Sequence, residues 1–249
     1  MIIKNFKFWG LILVSAMCAG LTACGGDDES SSSSSNGGNT KRIKKISWLS
    51  NSGGIRDEKN FTYNEYGQVI QEYRRSIDAG FTQTTNITFT YNQNTIKAHK
   101  IVQSTYQNTE TNIEYRLENG RIVEKKQNDK VIERLTYDEA GYLKTLNQCE
   151  WDNSWKTIQY TWKDGNLIKR GNTEFFYSDM LRPEHWLTYG DDVLMAFGYY
   201  GKTSKNLELT SLSTYKDNYE YTIKDGYVIK YAITYTHYST KSEYIIEWE

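Results

Sequence analysis

Only three histidines occur in the chain, His99, His185 and His237, and none has a second ligand at metal-site spacing. No Gly-x-Ser-x-Gly elbow is present. Gly53-Gly54 and the other glycines lack the strand-to-helix setting and the Lys-Ser/Thr of a phosphate-cradling loop. No motif for nucleophilic, metal or nucleotide chemistry remains, so we expect no enzyme, no cofactor, no metal and no catalytic residue. A glycoside hydrolase needs only two facing acids, and Asp191-Asp192 is the first place to look for them. A capping or solvated-loop role for that pair is the favoured reading.

Charge of one sign is also missing. The precursor carries 30 basic and 31 acidic residues; removing Lys4 and Lys7 with the leader described below leaves 28 against 31, a net of −3. A duplex-binding surface needs a clustered basic excess, so nucleic acid is not expected as a partner. Cysteine is scarce as well. Cys18 leaves with the leader and Cys24 is used at its end, so Cys149 stands alone, with no intramolecular disulfide open to it. We expect it to be a buried, inert thiol.

What is present begins with a secretory leader: Lys4 and Lys7, an apolar run from Phe8 to Met17, then small residues. Leu21-Thr22-Ala23-Cys24 resembles the bacterial lipobox, which implies cleavage after residue 23 and a diacylglyceryl group on Cys24. Residues 24–40 contain no apolar side chain beyond that cysteine and include the run Ser30–Ser35. They read as a disordered tether with a root-mean-square span of roughly 20–25 Å. The acids Asp27, Asp28 and Glu29 resemble export signals of surface-exposed lipoproteins of the Bacteroidetes. The implied location is the outer membrane, lipid-anchored and exposed at the cell surface.

Residues 41–249 form the remaining domain, rich in Tyr, Thr, Ile and Trp and holding the single proline, Pro183. Those residues favour strands. The period is two: Ile87, Phe89 and Tyr91 share one face, as do Ile113, Tyr115 and Leu117. An internal repeat joins an aromatic strand through a glycine turn to a second strand. Its copies run Phe61–Ile70, Tyr115–Val123, Leu135–Lys144, Tyr160–Ile168 and Tyr221–Ile229, with turn glycines at Gly67, Gly120, Gly141, Gly165 and Gly226. Asn-Gly and Asp-Gly pairs supply the positive φ that tight hairpins need. A looser copy starts at Phe89, and Tyr244–Trp248 begins a further one. The predicted fold is all-β: an antiparallel meander of about ten to twelve strands rolled into a barrel or strongly curved sheet. Residues 178–209 break the rhythm and are predicted to be irregular or short-helical, with Pro183 near the start of a helical turn, and to act as a plug, lid or cap.

The hairpin copies resemble the tyrosine–aspartate repeats of Rhs-type shells, most clearly at Tyr137-Asp138-Glu139-Ala140-Gly141-Tyr142-Leu143. The chain as a whole resembles a family of Bacteroidales lipoproteins of unknown function with a porin-like fold. The lipobox and acidic tether, the repeated hairpins and the stretch Phe197–Leu207 carry that resemblance. It implies an antiparallel barrel and no particular activity. We expect a tethered rather than spanning barrel, because the apolar face is usually three residues long and Glu133 interrupts it between Val131 and Leu135.

The aromatic content is the remaining functional signal. Inward tyrosines and tryptophans either fill the barrel or line a cavity. On the second reading Tyr115, Trp162, Tyr221, Tyr231 and Trp248 are candidate ligand contacts, and Trp186, Asp191, Asp192, Phe197 and Tyr199 a candidate lid. The expected function is a membrane-tethered, non-catalytic module holding a small apolar or glycan ligand. The alternative is a structural or assembly lipoprotein that binds an envelope protein, and a surface glycoside hydrolase ranks below both.

Overall fold

The computed structural model describes residues 41–50, 53–78 and 81–249. The expected leader 1–23, the expected lipidation site Cys24 and the expected tether 24–40 lie outside the described residues. The domain is a closed antiparallel barrel in which every strand pairs with its chain neighbours and the last pairs with the first. Its first half comprises β1 (Ile43–Leu49), β2 (Ile55–Tyr63), β3 (Val69–Asp78), β4 (Phe81–Asn92), β5 (Thr95–Ser104), β6 (Asn108–Glu118), β7 (Arg121–Gln127) and β8 (Lys130–Tyr137). Its second half comprises β9 (Leu143–Cys149), β10 (Trp155–Lys163), β11 (Asn166–Arg170), β12 (Thr173–Leu181), β13 (Asn206–Leu212), β14 (Lys216–Lys224), β15 (Tyr227–Tyr235) and β16 (Thr240–Trp248). Sixteen strands exceed the ten to twelve expected, because several hairpins turn without glycine. Between β4 and β5, for example, Gln93 and Asn94 make the turn.

The repeat sits where its glycines placed it. Asn119-Gly120, Asp164-Gly165 and Asp225-Gly226 all have positive φ at both positions, the backbone of a type I′ turn. These turns, with those at Gly67 and Gly141, join even to odd strands and so share one end of the barrel, called here the upper rim. Both chain ends of the barrel meet there too, since Arg42 and Glu249 exchange backbone hydrogen bonds of 3.1 and 2.9 Å.

Each repeat also carries a bulge just after its turn. Register shifts fall between Thr62 and Tyr63, Arg116 and Leu117, Thr136 and Tyr137, Thr161 and Trp162, and Thr222 and Ile223. In every case one residue of the returning strand is skipped: Ile70, Val123, Lys144, Ile168 or Ile229. The skipped residue lets the one before it point inward; Val69, Ile122, Leu143 and Val228 are buried. The bulge leaves that inward residue's carbonyl for a side chain of the next even strand. Tyr91 donates to Val69 O at 2.7 Å, Tyr137 to Ile122 O at 2.6 Å, Trp162 to Leu143 O at 2.8 Å, Tyr177 to Leu167 O at 2.8 Å and Trp248 to Val228 O at 2.8 Å. Tyr63 does the same to Ile43 O, beside a bulge in β1, at 2.7 Å. The recurring aromatic is therefore part of the wall, its polar tip fastening one hairpin to the next.

The two faces of the wall differ sharply. Inward positions carry Ile46, Phe61, Phe89, Ile96, Tyr115, Leu135, Tyr231 and Tyr244. Outward positions carry cross-strand ion pairs, among them Lys45–Glu58 at 2.9 Å, Lys230–Glu243 at 3.0 Å, Lys241–Glu220 at 2.8 Å and Arg134–Glu124 at 3.6 Å. Glu133 lies on the apolar face as the alternation placed it, but that face is the interior, where Glu133 meets Lys125 at 3.6 Å. The case against a spanning wall thus rests on the charged outer face instead. Cys149 is half-buried rather than buried, because it pairs with Trp155 on the outward side.

The irregular segment is narrower than 178–209: β12 runs to Leu181 and β13 starts at Asn206, leaving residues 182–205. Its helix, α1, is only Val193–Ala196. Pro183 is not at the helix start, since residues 182–191 form turns and Asp192 is the N-cap, its carboxylate accepting from Leu194 N at 3.0 Å.

Candidate functional site

A sixteen-stranded barrel is wide enough to leave an aqueous lumen unless something fills it. Residues 182–205 fill it. Trp186, Leu187, Tyr189, Val193 and Leu194 all belong to the buried core. Phe197 packs against Tyr63 at the upper end of β2, whereas Tyr189 hydrogen-bonds Asp57 near its lower end. Those contacts lie six residues apart on one strand, about 20 Å at the usual rise. The segment is a plug that reaches deep into the barrel, not a lid across its mouth.

The five aromatic ligand candidates do not converge on one open site. Tyr115 is 3 % exposed and Tyr231 is 1 % exposed. Tyr231 stacks on Tyr244 at 4.5 Å and its hydroxyl oxygen accepts from Tyr189 N at 2.7 Å, while Trp186 meets it edge-on at 5.4 Å. Tyr221 contacts the same Trp186, at 6.2 Å. Trp162 and Trp248 are the rim fasteners described above. These rings are engaged in packing, and as described they share no common open space.

The plug residues chosen as a lid have structural partners as well. Asp191 accepts from Thr188 N at 2.7 Å, and its carbonyl accepts from Lys59 Nζ at 3.4 Å. Asp192 caps α1 and accepts from Tyr200 at 3.1 Å. Tyr199 packs on Tyr91 at 6.1 Å, and its carbonyl accepts from Ile122 N at 2.8 Å.

Composition alone hid a set of ionisable groups on the inward face. Asp57, Lys59 and Glu72 are all buried. Arg74 holds Asp57 through two bonds of 3.2 and 3.3 Å, and Lys59 lies 3.6 Å from Glu72. Burial raises the Glu72 carboxyl above the usual range, with Lys59 opposing. The signal was present in β2, where Asp57 and Lys59 stand in register with Phe61, four and two residues before it.

Glu208 is the exception among these acids. Its Oε1 is buried with no hydrogen-bond partner, and burial pushes its pKa from 4.5 up to about 7. The folded chain therefore holds this proton more tightly than the unfolded chain. Its stabilising contribution is complete below about pH 4.5 and is lost as pH rises through 7. Glu208→Gln is expected to raise stability by about 2–3 kcal/mol at pH 8 and by little at pH 4. Urea unfolding of both proteins at the two pH values measures the difference.

The open feature is at the upper rim, where the plug returns to the wall. Ile122 N donates to Tyr199 O, Lys202 N to Gly141 O at 3.0 Å and Lys205 N to Gly165 O at 2.9 Å, so the return limb is stitched to three successive hairpins. Between that limb and the start of the plug lies a cleft of about 710 Å³. Arg121, Arg182, Lys202 and Lys205 line it beside one acid, Glu184, with Tyr142, His185 and Phe197 as its ring-bearing walls. Nothing in the hairpin periodicity pointed to it, because most of its lining comes from the non-periodic segment.

No protein-family profile matches the chain, and no curated protein matches it in sequence. Among solved structures it is similar to a porin-like protein from Bacteroides uniformis, with a TM-score of 0.60 and 13 % identity over 83 % of this chain and 98 % of that one. A porin-like protein from Bacteroides vulgatus aligns at 13 % identity over 84 % of this chain and 99 % of that one, with a TM-score of 0.35. At such identity the first likeness concerns architecture alone: the chain has a porin-like, all-β barrel fold.

Proposed function

We propose that this chain is a membrane-tethered, non-conducting and non-catalytic binding lipoprotein whose ligand is taken at the plug cleft rather than in the lumen. One observation carries the reading: the interior is filled by residues 182–205 while the outer wall carries paired charges. A lipid-facing Lys or Arg costs about 2–4 kcal/mol at the midplane of a bilayer. Such a wall favours water, and attachment then falls to the lipid on Cys24. The leader, the lipobox and the acidic tether support an outer-membrane, surface-exposed location. The ligand class left open is a glycan, because the charged cleft is a poor host for an apolar molecule.

Mass spectrometry of the membrane fraction is expected to find an acylated Cys24, and protease shaving of intact cells to remove the barrel. An unmodified Cys24, or a barrel protected from the protease, contradicts the anchor or the face respectively.

A second reading, an assembly lipoprotein that binds an envelope protein, is favoured by the seam beside the plug. β13 and β14 pair only at Thr210–Asn218, Ser211–Asp217 and Leu212–Lys216, and Phe176, Leu181 and Leu209 are exposed on the adjoining hairpin.

A further inference from the structure

The cleft is unlike the rest of the surface in its charge. On the wall, positive and negative side chains alternate across strands and largely cancel. In the cleft, four cations face one acid, and among the described residues none of the four makes an ion pair within 4.0 Å. Arg121, Arg182 and Lys202 each have a contact at the charged end, and Lys205 packs along its stem. The Arg121 guanidinium lies over the Tyr137 ring at 5.6 Å and against Gly141, where a Cβ would sit 2.6 Å from its Nη2. Lys202 lies over Tyr142 at 5.2 Å, Arg182 donates to Trp186 O at 2.6 Å, and the Lys205 side chain rests against Gly165. Cations fixed before a ligand arrives lose little freedom when it binds.

The walls add a second observation. His185 holds a left-handed backbone, φ 57°, a strained state for a non-glycine residue and one that gathers at ligand sites. Its ring stacks on Phe197 at 4.8 Å, and Nδ1 lies 3.1 Å from Ala196 O. A carbonyl only accepts, so Nδ1 carries the proton and Nε2 is the nitrogen left for other contacts. An extended peptide finds little to pair with here, because the return limb has already given N–H groups of Lys202 and Lys205 to the rim turns. Rings, a hydroxyl at Thr203 and fixed cations suit a sugar that carries negative charge.

We propose that the cleft binds an acidic oligosaccharide, its carboxylates seated on Arg121, Lys202 and Lys205, with Arg182 behind them. This rests on the reading of the cleft as the ligand site. The test is calorimetric titration of the full mature lipoprotein in detergent with three probes: tetragalacturonate, its fully methyl-esterified form and a tetraglutamate peptide. Tetragalacturonate is expected to bind at least tenfold more tightly than either of the others, and more weakly as salt is raised. The double variant K202Q/K205Q is expected to lose at least tenfold in affinity with an unchanged melting temperature. Thr203→Trp, which fills the cleft and keeps its charges, is expected to abolish binding.

Equal binding of the ester, lost in Thr203→Trp, would overturn the acidic class and leave the cleft as the ligand site. Equal binding of tetraglutamate would overturn the saccharide. Tetragalacturonate binding that survives Thr203→Trp would place the contact elsewhere and overturn the proposal. Silence from every probe would overturn both the proposal and the reading beneath it.

Discussion

Gly201→Ala is expected to destabilise the barrel by about 3–5 kcal/mol, far more than an alanine at most surface glycines. Gly201 has φ +86°, and a Cβ there would lie 2.7 Å from Gly141 O and 2.8 Å from a Tyr137 ring carbon. Neither neighbour can retreat. Gly141 O accepts from Lys202 N, and the Tyr137 hydroxyl is bonded to Ile122 O in the wall. The return limb would have to lift from the rim, taking with it the contacts that seat the plug. Gly198→Ala is the control, since Gly198 has a similar φ of +75° with nothing within 4 Å of its Cβ position. Its expected cost is about 1–2 kcal/mol, the backbone strain alone. Urea unfolding of the two variants separates the clash from the strain, and equal losses would mean that the limb is not docked as described.

Asp57→Ala is expected to cost about 3–5 kcal/mol, the usual result of removing one partner from a buried ion pair. Asp57 accepts from both Arg74 and Tyr189, so the substitution leaves a wall cation and a plug hydroxyl without their acceptor. Because Tyr189 belongs to the plug, the same variant is expected to expose backbone of residues 182–205 to hydrogen exchange ahead of the distant hairpin β4–β5. A loss below 1 kcal/mol, or uniform exchange, would show that the plug is not latched to the wall there.

The hairpin array was legible because its turn chemistry is explicit: Asn-Gly and Asp-Gly fix the bend, and alternation fixes the face. Four of the five bulges are also written in the sequence, as paired apolar residues that follow the turn glycine and break the period of two. Val69-Ile70, Ile122-Val123, Leu167-Ile168 and Val228-Ile229 all mark them. What stayed hidden depends on long-range closure. Whether Tyr115 or Tyr231 faces a cavity is decided by the plug, whose course across the lumen leaves no periodic trace. The inward charges Asp57, Lys59 and Glu72 were hidden for the same reason, as their partners come from other strands or from the plug itself. The ligand cleft is assembled from rim turns and plug residues far apart in sequence, so spacing could not reveal it.

On the proposed reading the barrel is plugged and its wall faces water, with Cys24 as its hold on the membrane. The decisive measurement is detergent-phase partitioning of residues 24–249, made without the leader and carrying Cys24→Ser. The variant is expected to move to the aqueous phase as a folded, detergent-free species. Retention in the detergent phase would show that the wall itself enters the membrane, and would contradict that reading.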